Sequence, residues 1–219
     1  MKTHALLSLF CLSILLPAAA TLAQGTPGSP GKPIVLFDGK TLAGWEGDKQ
    51  ATWRVDEGVI VGGSLTTKVP RNEFLTSTHR ATNFVLKLEF KLLGSEGFIN
   101  GGVQLRSERA TQPDNEMIGY QADIGDGWWG ALYDESRRNK PLITPKPEDA
   151  ERAVRKQEWN TYLIRCEGPR IRTYINDVPM IDYTEPDPAI PLHGLIGLQI
   201  HGDGKALIHY RNITLQHLP

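Results

Sequence analysis

Between residues 84 and 92 the chain alternates with a period of two. Phe84, Leu86, Leu88, Phe90 and Leu92 take the even positions, while Lys87, Glu89 and Lys91 take odd ones. Successive side chains of an extended strand point to opposite faces, so this stretch buries one face and wets the other. A helical turn would scatter the same residues around its axis. Similar runs recur at 159–167, 170–175, 194–201 and 206–215. The segment YINDVPMIDY joins two of them through Asn176-Asp177, residue types that tolerate the backbone of a two-residue hairpin turn. Glycine and proline, 22 and 15 residues, punctuate the runs and leave little room for long helices. One helical candidate remains at 147–157, PEDAERAVRKQ, with acids at its start and bases at its end, as the helix dipole favours. Half-buried strands, frequent turns and no internal repeat predict an antiparallel β-sandwich of two sheets.

The N-terminus reads differently. Lys2, an apolar run from Ala5 to Leu16 and small residues around 18–23 form a secretory signal pattern, with cleavage expected after Ala20 or Ala23. The run is shorter than the roughly 20 residues a spanning helix needs. Residues 24–32 form a flexible leader, and 33–219 are expected to make a single domain, working in the periplasm or outside the cell. The whole chain carries 24 bases and 25 acids. Removing residues 1–23 removes Lys2 alone, which leaves 23 against 25, a balance of −2. With no basic run, nucleic acid is not an expected partner. Of two cysteines, Cys11 lies in the signal and Cys166 on a strand pattern, so the mature chain has no internal disulfide and Cys166 reads as a buried, inert thiol.

Three strands carry polar pairs at i and i+2, the spacing that places both on one face. GGVQLRSE offers Gln104 and Arg106, GYQADIG offers Gln121 and Asp123, and GLIGLQIHGDGK offers Gln199 and His201. An ordinary wet face would be served by Lys and Glu. Amides, Arg, Asp and His make directional hydrogen bonds instead. If the strands share a sheet, these six residues form a polar floor suited to sugar hydroxyls. Trp128, Trp129 and Tyr133, just beyond, would stack on the apolar face of a sugar ring, with Glu135 close by as a further substrate contact or a second carboxylate. The competing reading is a hydrated outer face without function. Asp134-Glu135 followed by SRRNK also suits a surface ion-pair loop. Asp123, Asp126 and Asp203 are oxygen donors of the kind calcium prefers, yet no dense calcium loop, zinc spacing, nucleophile elbow or phosphate loop is present. No cofactor is required by the pattern, and a divalent cation stays open.

Taken in order, LFDGKTLAGWEG, WRVDEGVIVGG, NFVLKLEFKL, GGVQLRSE, GYQADIGD, EWNTYLIRCEG, IRTYINDVPMIDY and GLIGLQIHGDGKALIHYRNITL span about residues 33–217. This series resembles the bacterial 3-keto-disaccharide hydrolase family, which is related to concanavalin-like lectins and glucanases. The resemblance implies a concanavalin-like jelly-roll sandwich and a glycoside substrate oxidised at C3. The family often has Glu where Gln121 stands, and many members have Gln where this chain has Asp123. On such a substrate the ketone acidifies the C2 proton, so a base, donors for the enolate oxygen and an acid for the leaving oxygen are needed. Asp123 or His201 is the expected base. Arg106, with Gln104 or Gln199, would donate to the C3 oxygen, and Gln121 would position hydroxyls. The alternatives from other classes are a lectin-like carbohydrate-binding module and a structural sandwich.

Overall fold

Alternation along the chain becomes two antiparallel sheets packed face to face. The computed structural model describes residues 31–219. The expected signal 1–23 and nearly all of the leader lie outside the described residues. In chain order the strands are β1 (Ile34–Val35), β2 (Trp45–Glu46), β3 (Trp53–Asp56), β4 (Val59–Gly63), β5 (Glu73–Ala81), β6 (Phe84–Gly97), β7 (Asn100–Arg109), β8 (Met117–Gly125), β9 (Leu132–Glu135), β10 (Lys140–Ile143), β11 (Asn160–Glu167), β12 (Arg170–Ile175), β13 (Val178–Thr184), β14 (Gly194–Ile200) and β15 (Gly204–His217). One sheet runs β13-β12-β11-β6-β15-β4-β3, with β1 also on β15; the other runs β10-β9-β8-β7-β14-β5-β2. The chain passes repeatedly between them, which makes the structure a jelly-roll sandwich of the concanavalin-like kind.

The core follows from the period of two. Phe84, Leu86, Leu88, Phe90 and Leu92 of β6 face inward and meet Val103, Leu105, Tyr120, Ala122, Ile124, Ile196 and Leu198 of the second sheet. Each such side chain contributes about 1.5–3 kcal/mol on burial. Cys166 lies in this core as a free thiol, which burial pushes up to about 12. The β12–β13 hairpin turns at Asn176 and Asp177, with φ of +48° and +65°, the left-handed pair that a tight hairpin requires. The helix α1 (Pro147–Ala153) is shorter than its sequence pattern, because Val154 is already extended at ψ 129°. Among the described residues no helix is long and apolar enough to cross a membrane.

Tyr210 ties the two layers together. It stands on β15, yet its buried hydroxyl reaches through the core to the carbonyl oxygens of Gly102 (2.9 Å) and Gln199 (3.1 Å) on β7 and β14. Gly102 and Gln199 are register partners. The phenol therefore pins the second sheet at the point where its polar strands meet. We expect Tyr210→Phe to fold but to lose about 1–2 kcal/mol, the loss of a buried hydrogen bond, read as a lower urea midpoint with unchanged slope.

Candidate functional site

The three polar strands are neighbours, in the order β8-β7-β14. Gln104 stands opposite Gln121 on one side and Gly197 on the other, while Asp123 and Gln199 both stand opposite Gly102. On the outward face these residues form a directed chain of hydrogen bonds. The Ser107 hydroxyl donates to Gln104 Oε1 (2.6 Å), Gln104 Nε2 donates to Gln121 Oε1 (2.9 Å), and Gln121 Nε2 donates to Asp123 Oδ1 (2.8 Å). All four side chains are buried. Gly102 makes room for the chain, since a Cβ there would come within 2.7 Å of Gln121 Cγ.

Above this floor opens a pocket of about 150 Å³ lined by Phe98, Asn100, Gln121, Asp123, Trp128, Tyr133, Glu135 and His201. Asp123 is almost fully enclosed, and burial holds its carboxyl well above the usual carboxylate range; the Gln121 hydrogen bond opposes this and the nearby Glu135 adds to it. Glu135 is driven the same way by burial and by the Glu116 carboxylate, up to about 7. Glu116 is also raised by its own burial. Gln199 Nε2 approaches Glu135 Oε2 at 3.4 Å, while its Oε1 is buried without a partner. Such an orphan acceptor costs about 1–3 kcal/mol, and a ligand hydroxyl or a water would satisfy it. His201 Nδ1 lies 2.9 Å from the Gly202 carbonyl, which can only accept. Nδ1 is thereby the donor in this contact, and Nε2 is the ring nitrogen left for a ligand. Phe98 packs edge-on against that ring at 4.6 Å, and Trp128 against Tyr133 at 5.9 Å.

Strand alternation separates the adjacent acids. Tyr133 pairs with Gln121 and Glu135 with Gly119, which sets both on the outward face. Asp134 points inward and is fully buried, where Arg137 Nε donates to it at 2.8 Å and Arg138 forms an ion pair with it. Arg138 also binds Glu185 (2.7 Å), which accepts from the Tyr120 hydroxyl at 2.6 Å. Burial would raise Glu185, but the Arg138 and Tyr120 hydrogen bonds prevail and hold it at about 2. The SRRNK segment thus makes ion pairs as expected, but against a buried acid. It clamps the strand that carries Glu135.

One expected member of the floor, Arg106, and one expected stacking residue, Trp129, stand elsewhere. β7 bulges between Leu105 and Glu108, and Arg106 takes a φ of +49°. The bulge breaks the alternation that would have kept Arg106 beside Gln104. Its guanidinium instead donates to the Thr82 (2.8 Å) and Gly168 (2.6 Å) carbonyls, fastening β7 to the β11–β12 turn. Trp129 turns away from Trp128, stacks on Phe90 at 6.4 Å and donates Nε1 to Asp126 at 2.9 Å. Asp126 is further paired with Lys156 at 2.8 Å, and among the described residues no three His, Cys, Asp or Glu side chains are placed to hold a metal ion. Phe98, Asn100 and Glu116 join the site without any prior signal. Phe98 and Asn100 come from the β6–β7 turn and its edge, where alternation says nothing about direction.

The raised Glu135 carries a stability signature. An unfolded glutamate ionises near 4.5, whereas folded Glu135 does so at about 7. The folded state holds this proton more tightly, so the group favours folding below about pH 4.5 and loses that contribution as pH rises through 7. Glu135→Gln cannot ionise. It should match the wild type near pH 4 and exceed it by on the order of 2 kcal/mol near pH 8, a figure reduced for the contact that Glu135 keeps with water in the pocket. Urea titrations at both values check this, and an equal difference at both would show that Glu135 ionises normally.

The fold is shared with solved structures. A Parabacteroides distasonis protein provisionally described as a glycosyl hydrolase superposes with a TM-score of 0.62 at 18% identity, over 86% of this chain and 94% of that one. A second from the same organism, described likewise, gives 0.61 at 23%, over 85% and 100%. The carbohydrate-binding module CBM66 from Bacillus subtilis gives 0.61 at 18%, over 78% and 94%. At these identities the likeness speaks to the fold. No curated protein matches the chain. Lineage comes from the family comparison: the 3-keto-alpha-glucoside-1,2-lyase-like domain matches residues 32–216, and the chain belongs to that family.

Proposed function

We propose that this protein is a carbohydrate-active enzyme that cleaves the glycosidic bond of a 3-keto-glycoside by elimination and rehydration. One observation carries the reading. Two carboxyl groups share a small pocket, Glu135 poised at about 7 and Asp123 pushed by burial well above the usual carboxylate range. A site that only binds sugar gains affinity from amides and aromatic faces. Carboxyl groups that only bind hydroxyls accept best when ionised, so burial that raises both of them works against that use. Acid–base chemistry near neutral pH needs such a divided pair.

In this reading ionised Glu135 accepts the C2 proton, and the electron pair moves to the C2–C3 bond with charge on the C3 oxygen. Asn100 supplies an amide donor on the pocket wall, while Gln121 holds Asp123 in place. Collapse of the enolate forms the C1–C2 double bond and breaks the C1–O bond. Asp123 gives its proton to the departing oxygen. Water then adds across the double bond. Asp123 takes one of its protons as the hydroxyl joins C1, and Glu135, whose carboxyl proton exchanges with solvent while the double bond stands, protonates C2. Both groups end as they began. Of the two bases expected from sequence, Asp123 becomes the acid because burial favours its neutral form. His201 Nε2 is placed to meet a sugar hydroxyl, and Phe98, Trp128 and Tyr133 bracket the ring. The secretory signal pattern at 1–23 would take this chemistry out of the cytoplasm.

The test incubates purified protein with native and 3-keto-glucosides in heavy water, with products read by mass spectrometry. Cleavage is expected for the keto sugar alone, with one solvent deuteron at C2 of the released sugar. Glu135→Gln and Asp123→Asn should each lose about 10²–10⁴-fold in kcat. In the wild type kcat/KM should climb as pH passes about 7, where Glu135 ionises. Glu135→Gln should lack the climb. Saturable binding without turnover would instead make this a carbohydrate-binding module.

A further inference from the structure

Beside the catalytic pocket lies a larger recess of about 600 Å³, and Trp128 forms a wall of both. From the reading above, and resting on it, we infer that this recess receives the leaving group of the substrate and that the favoured leaving group is an aromatic alcohol rather than a second sugar. Three observations lead there. First, the catalytic pocket, about 150 Å³, lies below the roughly 300 Å³ at which ligand sites commonly begin. It suits one ring, so the group on the far side of the breaking bond must sit outside it, and the recess adjoins it at Trp128.

Second, much of the recess lining is apolar: Trp128, Trp129, Pro145, Pro147, Ala150 and Val154. Tryptophan and aliphatic surfaces suit a flat ring, which buries well against an indole. Third, polar side chains are sparse in the lining, and two of them, Asp126 and Lys156, are already engaged, which leaves Thr144 and Glu151. Asp126 accepts from Trp129 Nε1 at 2.9 Å and pairs with Lys156 at 2.8 Å. A second sugar would need several directional donors and acceptors of the sort found on the β7–β8 floor, and the recess offers none of that density. The split is consistent across both cavities: amides where the reacting sugar lies, apolar walls where the leaving group lies.

The test compares a phenyl 3-keto-glucoside with a 3-keto-disaccharide of the same anomer. The phenyl substrate should have the higher kcat/KM, by about tenfold. Ala150→Arg and Val154→Arg, each placing a long charged side chain in the recess, should raise KM for the phenyl substrate and erase most of that preference. Two variants are used so that one failing to fold does not decide the matter; circular dichroism verifies each. Equal rates for the two substrates, a preference for the disaccharide, or equal losses on both in the variants would overturn the inference while leaving the catalytic reading intact. If neither substrate is cleaved, the catalytic reading fails. Quenching of tryptophan fluorescence by phenyl glucoside then decides the recess alone: saturable quenching lost in both variants supports it, and no saturable quenching refutes it.

Discussion

The site depends on desolvation of two carboxyl groups at the end of a hydrogen-bonded amide chain. A carboxylate taken out of water without a cation favours its neutral form. Asp123 has no cationic partner; its Oδ1 receives only the Gln121 amide. That amide is oriented because Gln104 donates to its oxygen, and Gln104 is oriented because Ser107 donates to it in turn. Each amide in the row has both ends spoken for. This alignment keeps the acid in one place while burial raises its pKa.

A second division of labour rests on the alternation of a single short strand. Asp134 and Glu135 are adjacent, yet one faces the core and the other faces the pocket. The inward acid is neutralised by Arg137 and Arg138, and Arg138 extends the network to Glu185 and Tyr120. The outward acid meets only other acids and an amide. The same two-residue segment therefore supplies a rigid ionic anchor and a titratable group, and the anchor holds the titratable group in position. Removing a partner from the anchor would leave a charge buried and unpaired, which is why such networks fix geometry more reliably than they add stability.

Behind the floor, Tyr210 couples the site to the opposite sheet. Its hydroxyl binds the carbonyls of Gly102 and Gln199, directly beneath the residues opposite Asp123. Glycine at 102 allows Gln121 to lie across β7. Packing of the two layers and geometry of the polar row are thus linked through a hydroxyl of the first sheet bonded to backbone of the second.

Much of this was written in local pattern. Alternation in β6 named the core residues, Asn176-Asp177 named the hairpin, and the pairs around Gln104, Gln121 and Gln199 named the strands of the floor, because a period of two is a property of neighbouring residues alone. Sequence could not say that Arg106 leaves the floor, since a bulge follows from how two strands register and not from either strand. It could not separate Trp128 from Trp129, whose directions are set by the turn that carries them. Nor could it show that Glu135 would titrate near neutrality or that Phe98 would stand beside His201. Those properties come from burial and from distances between strands far apart in the chain. The sequence by itself determined which face of each strand is apolar and which chemistry the other face carries. Only the tertiary structure decided which of those polar groups meet, and how far from water, because desolvation and charge coupling exist only once the strands have come together.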